Sequence, residues 1–185
     1  MVATAFELGA LGLALGIGWL TGRSTWSLLR PTVGGTLLAI PATLPLLGLM
    51  WLVSRSPWPP FRRLVTEVDE HLLPLFAGCS TGELALIAAA AGLGEEALFR
   101  GALLAVAAGP LGIPAALALT SIVFGLVHFV TPTYAVLAGA VGLYLGWLAV
   151  TTGGVWLPVV VHALYDFVAL ALLLRMRPLP AQRSG

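Results

Sequence analysis

Polar residues in this chain are sparse and grouped, and they leave apolar runs about as long as a membrane crossing. A hydrocarbon core about 30 Å thick needs roughly 20 residues of helix. Runs of that order lie at about 3–21, 33–53, 81–109, 112–130, 133–150 and 155–174. The pattern predicts an all-α fold, a polytopic membrane helix bundle of about six transmembrane helices with one interfacial segment. That segment, Ser54 to Gly78, carries Arg55, Arg62, Arg63, Glu67, Asp69, Glu70 and His71. Its Ser-Pro-Trp-Pro-Pro start breaks a helix, and the amphipathic stretch after it suits the membrane surface.

Turn chemistry divides the rest. Ser80-Thr81-Gly82-Glu83 resembles a capping box at the start of the third helix. Pro110 with Pro114, then Thr131-Pro132, then Thr151 to Gly154 mark short connections, so the last four spans are expected to be antiparallel neighbours. The expected organisation is 1–79, N-terminal helices with the interfacial segment; 80–174, a core of four helices; and 175–185, a short polar tail. Gly9, Gly12, Gly16 and Gly18 in the first span read as a packing surface, since small residues let helix backbones approach in lipid.

Composition agrees with a bilayer location. Of 185 residues 59% are hydrophobic and 9% charged, too few charges to cover a soluble domain. A net charge of +1 offers no basic stripe for nucleic acid. The single Cys79 cannot form an internal disulfide and reads as a small buried hydrophobe. No basic residue precedes the first apolar run and Glu7 interrupts it, which argues for a first membrane helix over a cleaved leader. All nine basic residues are arginine, which suits a prokaryotic cytoplasmic membrane. Arg55, Arg62, Arg63, Arg175, Arg177 and Arg183 fall on one side against Arg23 and Arg30 on the other, so the positive-inside rule puts both termini in the cytoplasm.

Beyond Glu7 and Glu83 in the opening turns of their helices, six ionisable residues lie in the middle of the spans: Glu95, Glu96, Arg100, His128, His162 and Asp166. Each costs roughly 2.5–3.5 kcal/mol to insert and so marks a function or a buried pair. Glu96 and Arg100 stand one helical turn apart and can pair, with Glu95 rotated by about 100° to face elsewhere. His162 and Asp166 are also one turn apart, and the carboxylate can orient the imidazole. At about 1.5 Å per residue the six fall within about one to three turns of one another in depth, so one polar pocket can hold them.

Glu95-Glu96-Ala97-Leu98-Phe99-Arg100, Phe124-Gly125-Leu126-Val127-His128 and His162-Ala163-Leu164-Tyr165-Asp166 resemble, in order, the EExxxR, FxxxH and HxxxN/D motifs of the CAAX-protease and bacteriocin-processing family of intramembrane endopeptidases. The resemblance covers about residues 80–174. It implies hydrolysis of a peptide bond in a membrane-associated or lipid-anchored substrate. Glu95 would activate a water, His128 would hold that water, His162 and Asp166 would stabilise the oxyanion, and Glu96 with Arg100 would support the helix face. A desolvated carboxylate is a stronger base, which fits the role. Asparagine is the commoner residue at the last motif position; an ionised aspartate cannot donate a hydrogen bond, so Asp166 is expected to orient His162.

The resemblance leans to chemistry without a cofactor. If zinc is bound, Glu95, His128 and His162 are the ligands to expect. Two alternatives keep the same cluster in a non-proteolytic membrane protein: a proton-coupled transporter, for which spans one, two and five offer little polar lining, and an immunity or scaffold protein, in which motif residues tend to be lost. Phe99, Phe124 and Phe129 read as packing, and Tyr144, Trp147 and Trp156 as interface anchors.

Overall fold

The computed structural model describes residues 2–22 and 29–176. Among these the chain is entirely helical. Helices α1 (Val2–Leu20) and α2 (Val33–Arg55) precede a surface segment made of α3 (Pro59–Glu67), a π-helical turn (Val68–Leu72) and a 3-10 turn (Leu73–Phe76). Then come α4 (Thr81–Glu96), a π-helical stretch (Ala97–Leu103), α5 (Leu104–Leu111), α6 (Ile113–Val127), α7 (Pro132–Thr152) and α8 (Trp156–Met176). The protein is a polytopic helical membrane bundle. Arg23, Arg177 and Arg183, on which the expected orientation draws, lie outside the described residues, as does most of the expected polar tail.

Local chemistry sets the helix ends. Ser80 Oγ accepts from the Glu83 N–H at 3.3 Å while Glu83 Oε2 accepts from the Ser80 N–H at 2.8 Å, which completes the capping box. Thr131 Oγ1 accepts from the Tyr134 N–H at 3.1 Å and starts α7. Gly153, at φ +68, ends α7 in the left-handed region that a side chain resists.

Helix α8 is the centre of the bundle, packed on α4, α2 and α7. The expected succession of neighbours holds, with α5 on α6, α6 on α7 and α7 on α8, and the α4–α8 contact closes these helices around an interior. Helix α1 lies outside α4 and the π stretch. Large apolar side chains such as Leu37, Leu44, Trp51, Ile122, Val136 and Trp147 point outward, as lipid contact requires.

Helices α2, α7 and α8 are long and apolar enough to cross a membrane; counting the bent pair Pro59–Phe76 and Thr81–Leu111 gives up to four such spans among the described residues. Helix α6 is shorter than the expected 112–130 span. It stops at Val127 because His128 leaves helical geometry (φ −95, ψ 21), and at about 1.5 Å per residue its 15 residues reach about 22 Å. The segment from 59 to 76 forms the expected amphipathic surface layer, holding Leu64 and Leu73 inward while His71 stays exposed beside Glu67 at 3.2 Å.

Three expectations need correction. The glycines of α1 are not the close crossing: a methyl on Gly9, Gly12 or Gly16 would meet nothing within 4 Å. The tight approaches lie elsewhere, at Gly92 in α4, where a methyl would stand 2.7 Å from the Val159 carbonyl oxygen and 3.0 Å from the Ala163 nitrogen of α8, and at Gly125, against Ala135 of α7. Tyr144 and Trp156 are not only interface anchors, since they bond α2: Tyr144 O–H donates to the Ala42 carbonyl at 2.8 Å and Trp156 Nε1–H to Thr36 Oγ1 at 3.0 Å. Cys79 is a free thiol only partly buried.

Gly92→Ala should therefore push α4 from α8 and lower stability by about 1–3 kcal/mol, read as a lower thermal midpoint in detergent, whereas Gly12→Ala should leave the midpoint unchanged.

Candidate active site

Glu95 and Glu96 close α4, Arg100 lies in the π stretch, His128 caps α6, and His162 and Asp166 sit on α8. The bundle brings all six together. His128 Nε2 stands 3.4 Å and His162 Nε2 3.9 Å from Glu95 Oε2, and Asp166 Oδ2 is 3.4 Å from His162 Nε2.

Glu96 does more than pair with Arg100. Fully buried, its Oε1 accepts from Arg100 Nη1 at 2.7 Å and from His162 Nδ1 at 2.8 Å. One oxygen thus joins α4, the π stretch and α8. Arg100 also donates from Nη2 to the Gly142 carbonyl of α7 at 2.8 Å. A side chain at Gly142 would crowd both this nitrogen and Phe124, with a methyl 3.3 Å from the first and 3.1 Å from a ring carbon of the second. In the π stretch the Leu104 N–H bonds Phe99 O, five residues back, and such a widened turn is often found where a helix is shaped for function.

Phe124 carries the other half of the arrangement. Its ring stacks on His128 at 4.3 Å and 29°, and the Arg100 guanidinium lies 4.5 Å from its centroid. The ring is packing, as expected, and it also aims an imidazole. His128 Nδ1 is 2.8 Å from the Phe124 carbonyl oxygen. A carbonyl only accepts, so Nδ1 carries the hydrogen and Nε2 is presented to Glu95. The same logic applies to His162, whose Nδ1–H is committed to Glu96, leaving Nε2 toward Glu95 and Asp166.

Glu95, His128, His162 and Asp166 line one end of a cavity of about 320 Å³. Its other walls are mostly apolar: Leu49 and Val53 of α2, Leu64 of α3, Leu73 of the 3-10 turn and Leu170 of α8. The surface segment therefore roofs the site. Tyr134 and Tyr165 also line it. Among the described residues, three buried side-chain atoms have no hydrogen-bond partner, Oε2 of Glu95, of Glu96 and of Glu7.

Glu7 and Tyr134 escaped the sequence reading. Glu7 is buried where α1 crosses Gly94, within electrostatic reach of Glu95, His162, Asp166 and His128. Its signal was available, as a carboxylate inside an apolar helix, but nothing in the chain order tied it to residues almost 90 positions away. Tyr134 carries no charge to make it conspicuous. No group of three or more His, Cys, Asp or Glu among the described residues is arranged to hold a metal ion; in the expected zinc set of Glu95, His128 and His162 the two Nδ1 atoms are held by the Phe124 carbonyl and Glu96 and the two Nε2 atoms face Glu95.

A helical membrane bundle that gathers carboxylates and imidazoles at the end of an apolar cavity has the parts of a hydrolase built within a bilayer. Residues 79–168 match the family model described as Type II CAAX prenyl endopeptidase Rce1-like. Over that stretch the core of the chain is similar to this family of endopeptidases. No curated protein and no solved structure matches the chain.

Arg100→Met should lower stability by about 3–5 kcal/mol, because buried Glu96 then loses its guanidinium partner and keeps only the His162 imidazole. The double variant Arg100→Met with Glu96→Leu should recover part of that loss, measured as thermal midpoints of the purified protein in detergent.

Proposed function

We propose that the chain is a glutamate-dependent intramembrane endopeptidase that hydrolyses a peptide bond of a membrane-associated or lipid-anchored substrate. The observation that carries the reading is Glu95 Oε2, buried with no hydrogen-bond partner on the wall of the cavity and flanked by two imidazole nitrogens within 4 Å.

In this reading Glu95 takes a proton from a water held between it and His128 Nε2, and the water oxygen bonds to the scissile carbonyl carbon. The carbonyl π pair moves onto its oxygen. On collapse the C–N bond breaks, and the amine leaves with the proton that Glu95 took up. Glu96 and Arg100 hold the helices in register, and Asp166 keeps His162 oriented and positive beside the developing negative charge. The apolar cavity wall accepts the hydrocarbon part of a membrane-anchored substrate, and its position under the surface segment suits entry from the bilayer.

Every step uses side chains of this chain alone. Glu95→Gln preserves shape and removes the base. In proteoliposomes with a lipidated reporter peptide it should lose at least about 100-fold in cleavage rate with an unchanged thermal midpoint. Cleavage that survives the substitution, or a proton flux that disappears with it in the absence of any cleavage, would reject the protease reading.

A further inference from the structure

The site holds three carboxylates that accept hydrogen bonds and few groups free to donate one. His162 has both ring nitrogens engaged, Nδ1 by Glu96 at 2.8 Å and Nε2 facing Asp166 at 3.4 Å and Glu95 at 3.9 Å. His128 spends Nδ1 on the Phe124 carbonyl and turns Nε2 to Glu95. Arg100 is buried outside the cavity lining, where it bonds Glu96 and Gly142. Asp166, standing where an asparagine would supply an N–H, supplies none while ionised. An oxyanion formed here meets positive charge nearby but no uncommitted donor among the charged residues.

Three neutral hydroxyl residues line the same cavity, Ser54, Tyr134 and Tyr165, and the two tyrosines are the ones within electrostatic reach of the charged groups. Tyr134 starts α7, its backbone N–H fixed by Thr131 Oγ1 at 3.1 Å, so the ring projects from a capped, well-held turn. Its hydroxyl has no hydrogen-bond partner among the described residues, and it lies within electrostatic reach of both Asp166 and Glu95. Tyr165 reaches Asp166 and Tyr134, and its ring packs on the apolar cluster around Leu145 and Val161. Of the two tyrosines, Tyr134 is the one within electrostatic reach of both the base Glu95 and Asp166, and it shares the cavity wall with them.

We propose that Tyr134 is a further catalytic residue, the neutral hydrogen-bond donor to the oxyanion. This rests on the protease reading above. The phenol donates a hydrogen bond and keeps its proton. The O–H points to the carbonyl oxygen as it gains the π pair, while the water proton goes to Glu95 and later to the leaving amine, so Tyr134 ends the cycle as it began. The phenol thus takes the part that asparagine's amide would play at position 166.

The test compares the full chain, Tyr134→Phe, Tyr165→Phe and Glu95→Gln in proteoliposomes, with a lipidated reporter peptide and a peptide aldehyde whose hydrate mimics the tetrahedral intermediate. Loss of one oxyanion donor costs about 10²–10³ in rate. Tyr134→Phe should lower kcat by that factor, leave KM and the thermal midpoint unchanged, and weaken aldehyde binding in proportion, while Tyr165→Phe stays within about threefold of the full chain, the scale of a lost peripheral contact. Unchanged kcat in Tyr134→Phe, or a loss confined to KM or to the thermal midpoint, overturns the assignment and leaves the protease reading intact provided Glu95→Gln is inactive. A kcat loss found in Tyr165→Phe instead overturns it as well. Absence of cleavage by the unsubstituted chain overturns both.

Discussion

A single buried oxygen, Oε1 of Glu96, holds the functional part of this molecule together. It accepts from Arg100 and from His162 at 2.7 and 2.8 Å with no exposure to solvent. In a medium without water a carboxylate cannot remain unpaired, and neither can a guanidinium. The guanidinium and the imidazole that converge on it therefore bring α4, the π stretch and α8 to one relative position. Glu95, the preceding residue, is carried with them about 100° around the helix, where it faces the Nε2 atoms of His128 and His162.

The second constraint is steric. Gly92, Gly125 and Gly142 remove the side chains that would keep α4 from α8, α6 from α7, and Arg100 from α7. Phe124 then fills the space between Arg100 and His128 and sets the plane of the imidazole. The widened π turn fits this scheme, since it carries Arg100 in the stretch where one side chain must reach Glu96 and the backbone of α7 together. Charge pairing decides which helices meet, and the glycines decide how closely.

Function follows from what these constraints leave over. Glu95 keeps an unpartnered oxygen on the wall of an apolar cavity, with the His128 and His162 imidazole nitrogens within 4 Å. The roof of that cavity is the amphipathic segment from 59 to 76, which turns Leu64 and Leu73 toward the site. In the proposed function, a peptide bond delivered on a hydrocarbon anchor would find both an apolar berth and a base there.

The chain's own pattern was enough to establish membrane residence, an all-helical bundle, the capping box at Ser80 and the six ionisable positions that the bundle brings together. Each depends on hydropathy or on spacing within one helix, and such signals are local. The tertiary structure alone decided that Glu96 serves His162 as well as Arg100, that the glycines of α4, α6 and α7 make the close crossings in place of those of α1, and that Glu7 and Tyr134 approach the base. Those facts depend on which helix faces which across distances of about 10 to 90 positions, and an apolar helix surface looks much the same in sequence whether it faces lipid or a neighbouring helix.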